Sequence, residues 1–90
     1  MIAVVPRICA FYGIVIEMYY GDHPPPHFYA RYGGDAAKIQ IASGDLIAGW
    51  LPGRALRLVQ EWTDEHRREL EDNWDRTVRH ERPQPIDPLP

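Results

Sequence analysis

The stretch that decides the fold is His27-Phe28-Tyr29-Ala30-Arg31-Tyr32-Gly33-Gly34-Asp35-Ala36-Ala37-Lys38-Ile39-Gln40-Ile41-Ala42. Two alternating runs, 27–32 and 37–42, flank a Gly-Gly-Asp-Ala turn, which is the pattern of a β-hairpin. With Gly34-Asp35 as a two-residue loop, Tyr32 faces Ala37, Ala30 faces Ile39 and Phe28 faces Ile41. A second turn at Ser43-Gly44-Asp45 then sets Ile41 against Leu46, Ile39 against Ala48 and Ala37 against Trp50. Every residue on that face is apolar or aromatic, while His27, Tyr29, Arg31, Lys38 and Gln40 share the other. A one-residue slip would mix the two sets, so the faces are strongly specified. This register puts Lys38 opposite Arg31, its one unfavourable pair.

Upstream, residues 8–20 are rich in Ile, Val, Phe and Tyr, with Gly13 in their middle. They read as one long strand bent at Gly13 or as two short ones. Ile14, Ile16, Met18 and Tyr20 alternate with Val15, Glu17 and Tyr19 at a period of two. Downstream, Pro52 suits the first turn of a helix. From Arg54 to about Arg79, Leu56, Val59, Trp62, His66, Leu70, Trp74 and Thr77 fall on one stripe at 100° per residue. Arg57, Glu61, Asp64, Arg68, Asp72, Asp75 and Arg79 lie opposite, and Asp64–Arg68, Asp72–Arg76 and Asp75–Arg79 are acid-first pairs, each worth ~0.2–0.5 kcal/mol. One long amphipathic helix follows, with 63–67 as the place for a kink, because the stripe turns polar there.

The expected architecture is therefore α+β, an antiparallel β-meander of four to five strands with one long C-terminal helix packed on one face. Residues 1–80 form a single domain and 81–90 a Pro-rich tail, extended and mobile, whose Ile86 and Leu89 are exposed. Ninety residues hold one thin core. The 44% hydrophobic and 26% charged content is that of an ordinary globular domain. A single cysteine, Cys9, excludes a disulfide framework and a Cys-based zinc site, and it reads as an inert core thiol. The net charge of −3 argues against a surface built to hold a nucleic-acid backbone. The longest apolar run, 8–16, is far short of the ~20 residues that span a bilayer. No cleavage site follows it, so a cytoplasmic protein without membrane attachment is expected.

Nine prolines are an excess for this length, and three of them, Pro24, Pro25 and Pro26, are consecutive. They make Gly21–His27 a stiff connection with Asp22, His23 and His27 at its ends. An extended Pro-Pro-Pro would hold the two histidines ~12 Å apart, too far to share an ion unless the loop folds back, and neither a metal nor any other cofactor is expected. Three uses of the loop stay open: a rigid turn with structural hydrogen bonds, a catalytic or metal site, or a partner- or ligand-binding surface made of Asp22, His23, Pro24, Pro25, Pro26 and His27. His27, Tyr29 and Arg31, at i, i+2 and i+4 of one strand, are the catalytic candidates. They would supply a base, a stacking ring and an anion clamp of the kind a small ribonuclease uses. An ordinary half-exposed strand face explains them equally. His66, on the apolar stripe, is expected to be a buried, neutral, hydrogen-bonded core histidine rather than part of a three-histidine site.

Phe11-Tyr12-Gly13-Ile14-Val15-Ile16, Met18-Tyr19-Tyr20 and Asp22-His23-Pro24-Pro25-Pro26-His27-Phe28 closely resemble the bacterial domain-of-unknown-function family 4160. Leu51-Pro52-Gly53-Arg54-Ala55-Leu56-Arg57-Leu58-Val59, Glu61-Trp62, His66 and Asn73-Trp74 resemble its helical half. The resemblance implies a small bacterial protein encoded beside a second small protein, an arrangement similar to a toxin–antitoxin pair. Where the family usually has a further histidine, two residues after the one matching His27, this chain has Tyr29, which weakens a His-x-His site. Two functions follow as expectations. One is a non-enzymatic module that binds a small protein encoded nearby. The other is an RNA-directed nuclease toxin using His27, Tyr29 and Arg31. Self-association is left open.

Overall fold

The computed structural model describes residues 5–90, so the first four residues of the expected 1–80 domain lie outside it. Five antiparallel strands, β1 (Arg7–Phe11), β2 (Ile14–Glu17), β3 (His27–Tyr32), β4 (Asp35–Gln40) and β5 (Leu46–Gly49), form one sheet in sequence order. Two helices follow, α1 (Gly53–Glu65) and α2 (Arg67–Val78). The α+β meander is as expected; the single long helix is not.

The helix breaks at His66, whose φ of −121° and ψ of 22° leave the helical region. Thr63 Oγ1 donates back to the Val59 carbonyl at 2.7 Å, a contact that bends helices. His66 N–H is shared between the Trp62 and Thr63 carbonyls. The bend lets Arg67 reach Asp64 at 2.7 Å and the Ile41 carbonyl at 2.9 Å. The expected i,i+4 ion pairs do not form. Asp64 takes Arg67 instead, and Glu81 takes Arg79 and Arg76.

Tyr12 (φ 49°) and Gly13 (φ 80°) both adopt positive φ, so residues 8–20 make a hairpin rather than a bent strand. In the next hairpin Gly33-Gly34 is the turn, one residue before the expected Gly34-Asp35. Each pairing therefore moves by two residues, to Tyr32↔Asp35, Ala30↔Ala37 and Phe28↔Ile39. An even shift keeps the faces, so Phe28, Ala30, Ala37 and Ile39 are all buried. Lys38 now lies opposite Tyr29, and the repulsive Lys38–Arg31 pair is absent.

The β4–β5 connection departs further. Ile39, not Ile41, pairs with Leu46, and a bulge between Lys38 and Ile39 sets Ala48 against Lys38. Trp50 leaves the expected core row and is 60% exposed. Gly49 turns the chain there with φ +79°, and a Cβ on it would stand 2.2 Å from the Ala36 carbonyl oxygen. Gly49→Ala is expected to cost at least ~1–2 kcal/mol from the left-handed backbone alone. A lowered urea midpoint at unchanged slope would show it; an unchanged midpoint would exclude it.

The core lies between the sheet and the two helices, with Trp62 packed 5.5 Å from Phe11 and 5.8 Å from Phe28, ring to ring. Val59, Trp62, Leu70, Trp74 and Thr77 are buried, as the stripe implies, whereas its Leu56 and His66 are only half-buried and Ala55, Thr63 and Asn73 are buried outside it. The tail also packs, against the expectation of a mobile end. Pro83 is buried, Ile86 is 5% and Leu89 8% exposed, and Ile86 N–H bonds the Ile8 carbonyl of edge strand β1. These three residues recur at a spacing of three. That is the period of a polyproline II chain, and neither the helical nor the strand period detects it. Among the described residues no helix is long and apolar enough to cross a membrane.

Candidate functional site

The helices cover one face of the sheet. Val15, Glu17, Tyr19, Tyr29, Arg31, Lys38 and Gln40 remain half-buried or exposed on the other, in line with their alternation. The proline loop closes one end of this face. Gly21, at φ +65°, anchors the loop by donating its N–H to the Thr77 carbonyl at the end of α2. Pro24, Pro25 and Pro26 are exposed, and the Pro24–Pro25 peptide is cis. Pro26 accepts the Ile41 N–H, which ties the loop's exit to the chain beyond β4.

The loop brings Asp22 to His27. His27 Nε2 lies 2.9 Å from Asp22 Oδ2, and Nδ1 lies 2.7 Å from the Pro25 carbonyl oxygen. Both partners are acceptors. Both ring nitrogens are thereby engaged. His27 is 1% exposed and wedged between Trp74, at 5.1 Å, and Tyr29, at 5.4 Å. Burial pushes the Asp22 carboxyl up, but the His23 N–H, the His27 ring and the Lys38 charge outweigh it and hold the carboxyl below its ordinary range. His23 is exposed, and its N–H is held by Asp22 Oδ1 at 2.8 Å. Of the two loop histidines, only His27 is built into the fold.

His27, Tyr29 and Arg31 share one face, but each is held by different partners. Arg31 is committed elsewhere, with Nε donating to Glu17 Oε1 at 2.6 Å and Nη2 to the Tyr19 hydroxyl at 2.9 Å. These contacts push the guanidinium pKa further up. Tyr19 meets Tyr29 edge-on at 4.9 Å. Burial, the Asp22 charge and Tyr19 push the Tyr29 hydroxyl up, so it stays a neutral hydrogen-bonding group. A continuous row results: Glu17, Arg31, Tyr19, Tyr29, His27, Asp22. Glu17 and Tyr19 were not among the expected site residues, although their alternation places them on the face of Tyr29 and Arg31. Beside Tyr29, a shallow depression of about 290 Å³ is lined by Ala36, Ala37, Lys38, Ala48 and Gly49.

The remaining histidines and the cysteine stand apart from this row. His66 is half-buried against Trp62 at 5.5 Å, with Nδ1 2.6 Å from Glu69 Oε1, so it is hydrogen-bonded but not sealed. His80 stacks on Tyr20. Cys9 is buried, which pushes its thiol up and leaves it a poor nucleophile. Among the described residues no three His, Cys, Asp or Glu side chains are grouped so as to hold a metal.

A family model described as a domain of unknown function (DUF4160) matches residues 13–75. The chain belongs to this family. The match covers β2 to β5, the proline loop, α1 and most of α2, and it stops before the tail. Neither the curated proteins nor the solved structures yielded a match. The family description carries no activity, so the chemistry of the DUF4160 domain has to be argued from its own side chains.

Proposed function

We propose that this DUF4160 domain is a non-enzymatic module that binds a small protein encoded nearby, as one member of a toxin–antitoxin-like pair, through the open sheet face and its proline loop. The observation that supports this reading is the state of His27. Its two ring nitrogens are both engaged and the ring is sealed from solvent, so it has no access to a substrate proton. The nuclease alternative depends on His27 as base and is not favoured by any contact. By contrast, Tyr19, Tyr29 and Arg31 stand on an uncovered face, held by one another and by Glu17. Preorganised tyrosine and arginine side chains are the residue types that dominate binding energy at protein interfaces. The exposed prolines add a rim with little conformational entropy to lose.

Co-expression with the neighbouring gene product, followed by titration calorimetry, tests this. The expected result is a complex with a micromolar or tighter Kd. Arg31→Ala and Tyr29→Ala should each weaken it about tenfold or more. Arg31→Ala should hardly move the unfolding midpoint, because its pair with Glu17 is partly exposed and worth no more than ~1 kcal/mol. Absence of association at ~50 μM would overturn the reading, since a Kd weaker than that leaves no stable pair.

A further inference from the structure

The tail is held in a way that a fixed piece of core does not require. Side-chain donors reach its main-chain oxygens at every third residue. Asn73 Nδ2 donates to the Gln84 carbonyl at 2.9 Å, Trp62 Nε1 to the Asp87 carbonyl at 2.8 Å, and the Tyr12 hydroxyl to the Pro90 main-chain oxygen. The residue before each of these, Pro83, Ile86 and Leu89, is the one whose side chain is buried. Asn73 Oδ1 also accepts the Gln84 N–H at 2.8 Å, so its buried amide engages both main-chain polar groups of one residue. Polyproline II has three residues per turn and no internal hydrogen bonds, so its carbonyls are free for a receptor to read. Receptors for such chains combine aromatic donors to the backbone with pockets for recurring apolar residues. The groove made by α1, α2 and β1 has both features.

The connection to α2 lets the tail act as a separate unit. The helix ends in a Schellman turn, with Glu81 N–H bonded to the Arg76 carbonyl and His80 N–H to the Thr77 carbonyl, and His80 adopts φ 59°. Residues 79–82 are all exposed. No backbone hydrogen bond of α2 involves the segment beyond them.

We propose that this groove is a binding site for an extended polyproline II peptide, and that residues 83–90 are its exchangeable resident ligand rather than a fixed part of the core. The specificity follows from the contacts. The backbone is read by Asn73, Trp62 and Tyr12, and the sequence requirement is an apolar or proline residue at every third position. A peptide in trans competes with a tethered tail whose effective concentration is of millimolar order. A micromolar peptide therefore leaves the intact chain unchanged and binds once the tail is weakened. This site lies on the helical side and does not rest on the sheet-face reading.

Amide hydrogen exchange on the unmodified full chain is the first test. The Gln84 and Ile86 amides should exchange through local opening, about 100-fold faster or more than the slowest amides of β2–β4. Equal protection would make the tail a core element and overturn the proposal. The second test uses the full chain carrying Ile86→Gln and Leu89→Gln, titrated with a peptide of residues 82–90. The Trp62 indole N–H resonance should move back toward its position in the unmodified chain, with a saturable Kd between about 10 μM and 1 mM. The same peptide carrying Ile86→Gln and Leu89→Gln should not bind. A folded variant that ignores the first peptide at millimolar concentration, or binds both alike, overturns the proposal. If that variant does not fold, the exchange measurement on the unmodified chain decides.

Discussion

Trp62→Ala should remove most of the stability of this domain. The indole is fully buried, packs on Phe11, Phe28 and His66, and donates its N–H to Asp87. Truncating a buried aromatic costs ~3–5 kcal/mol, through lost transfer energy and the cavity left behind. Ninety residues at typical stability per residue give only ~5–13 kcal/mol in total. A thin core has no second layer to collapse into the hole, so the upper part of the range is expected. Urea unfolding followed by far-UV circular dichroism checks this, with a loss below ~2 kcal/mol showing that Trp62 is not the centre of the core. The tail should be loosened as well, because the Asp87 carbonyl loses its donor.

That one residue joins sheet, helix and tail explains why some of the fold was legible in the sequence and some was not. The faces of β2, β3 and β4 could be read because side chains alternate at a period of two and burial selects one parity. The hairpin turn fell one residue early, yet the error shifted the pairing by two and left every face intact. Trp50 was misplaced for a different reason. A bulge at Lys38–Ile39 and a positive φ at Gly49 change the parity of β5, and the apolar pattern of Leu46 to Trp50 carries no trace of either. The helix break was visible only as a polar patch at 63–67. Of its causes, the bond from Thr63 back to Val59 is local to the helix, and the turn of Arg67 to the Ile41 carbonyl is tertiary. The order of the tail was missed because its signal is a period of three.

The candidate site divides in the same way. Tyr29 and Arg31 lie on the open face that their parity assigns them. His27 shares that parity but sits at the strand's first residue, where the loop and α2 close over it. An extended Pro-Pro-Pro would have kept Asp22 and His27 apart. The chain instead folds back, so that residues five apart share a hydrogen bond. Contacts made by a loop returning on itself have no periodic signature. The place of Asp22 beside the prolines is legible in the sequence, and its partner is not.

His27→Ala should be the second most damaging change, at ~2–4 kcal/mol, because it combines a cavity with two abandoned acceptors. The ring fills the space between Trp74 and Tyr29, and its removal takes the hydrogen-bond partner from the Pro25 carbonyl and the Asp22 carboxylate. Equilibrium unfolding near neutral pH measures the loss, and a change under ~1 kcal/mol would mean that the loop is held by its prolines alone. Acid titration separates the charge from the packing. The Asp22 carboxyl is depressed in the folded chain relative to its ordinary value of 3.8. The unfolded chain therefore binds the proton first. The stabilisation is present above 3.8 and is lost as the pH falls through the lower folded value. Asp22→Asn should remove this part of the acid dependence, so that the stability difference between the two chains narrows on acidification below about pH 4. A difference that stays constant down to about pH 2 would show that the carboxylate charge contributes nothing to holding His27. The His27→Ala loss would then come from packing against Trp74 and Tyr29 and from the contact with the Pro25 carbonyl.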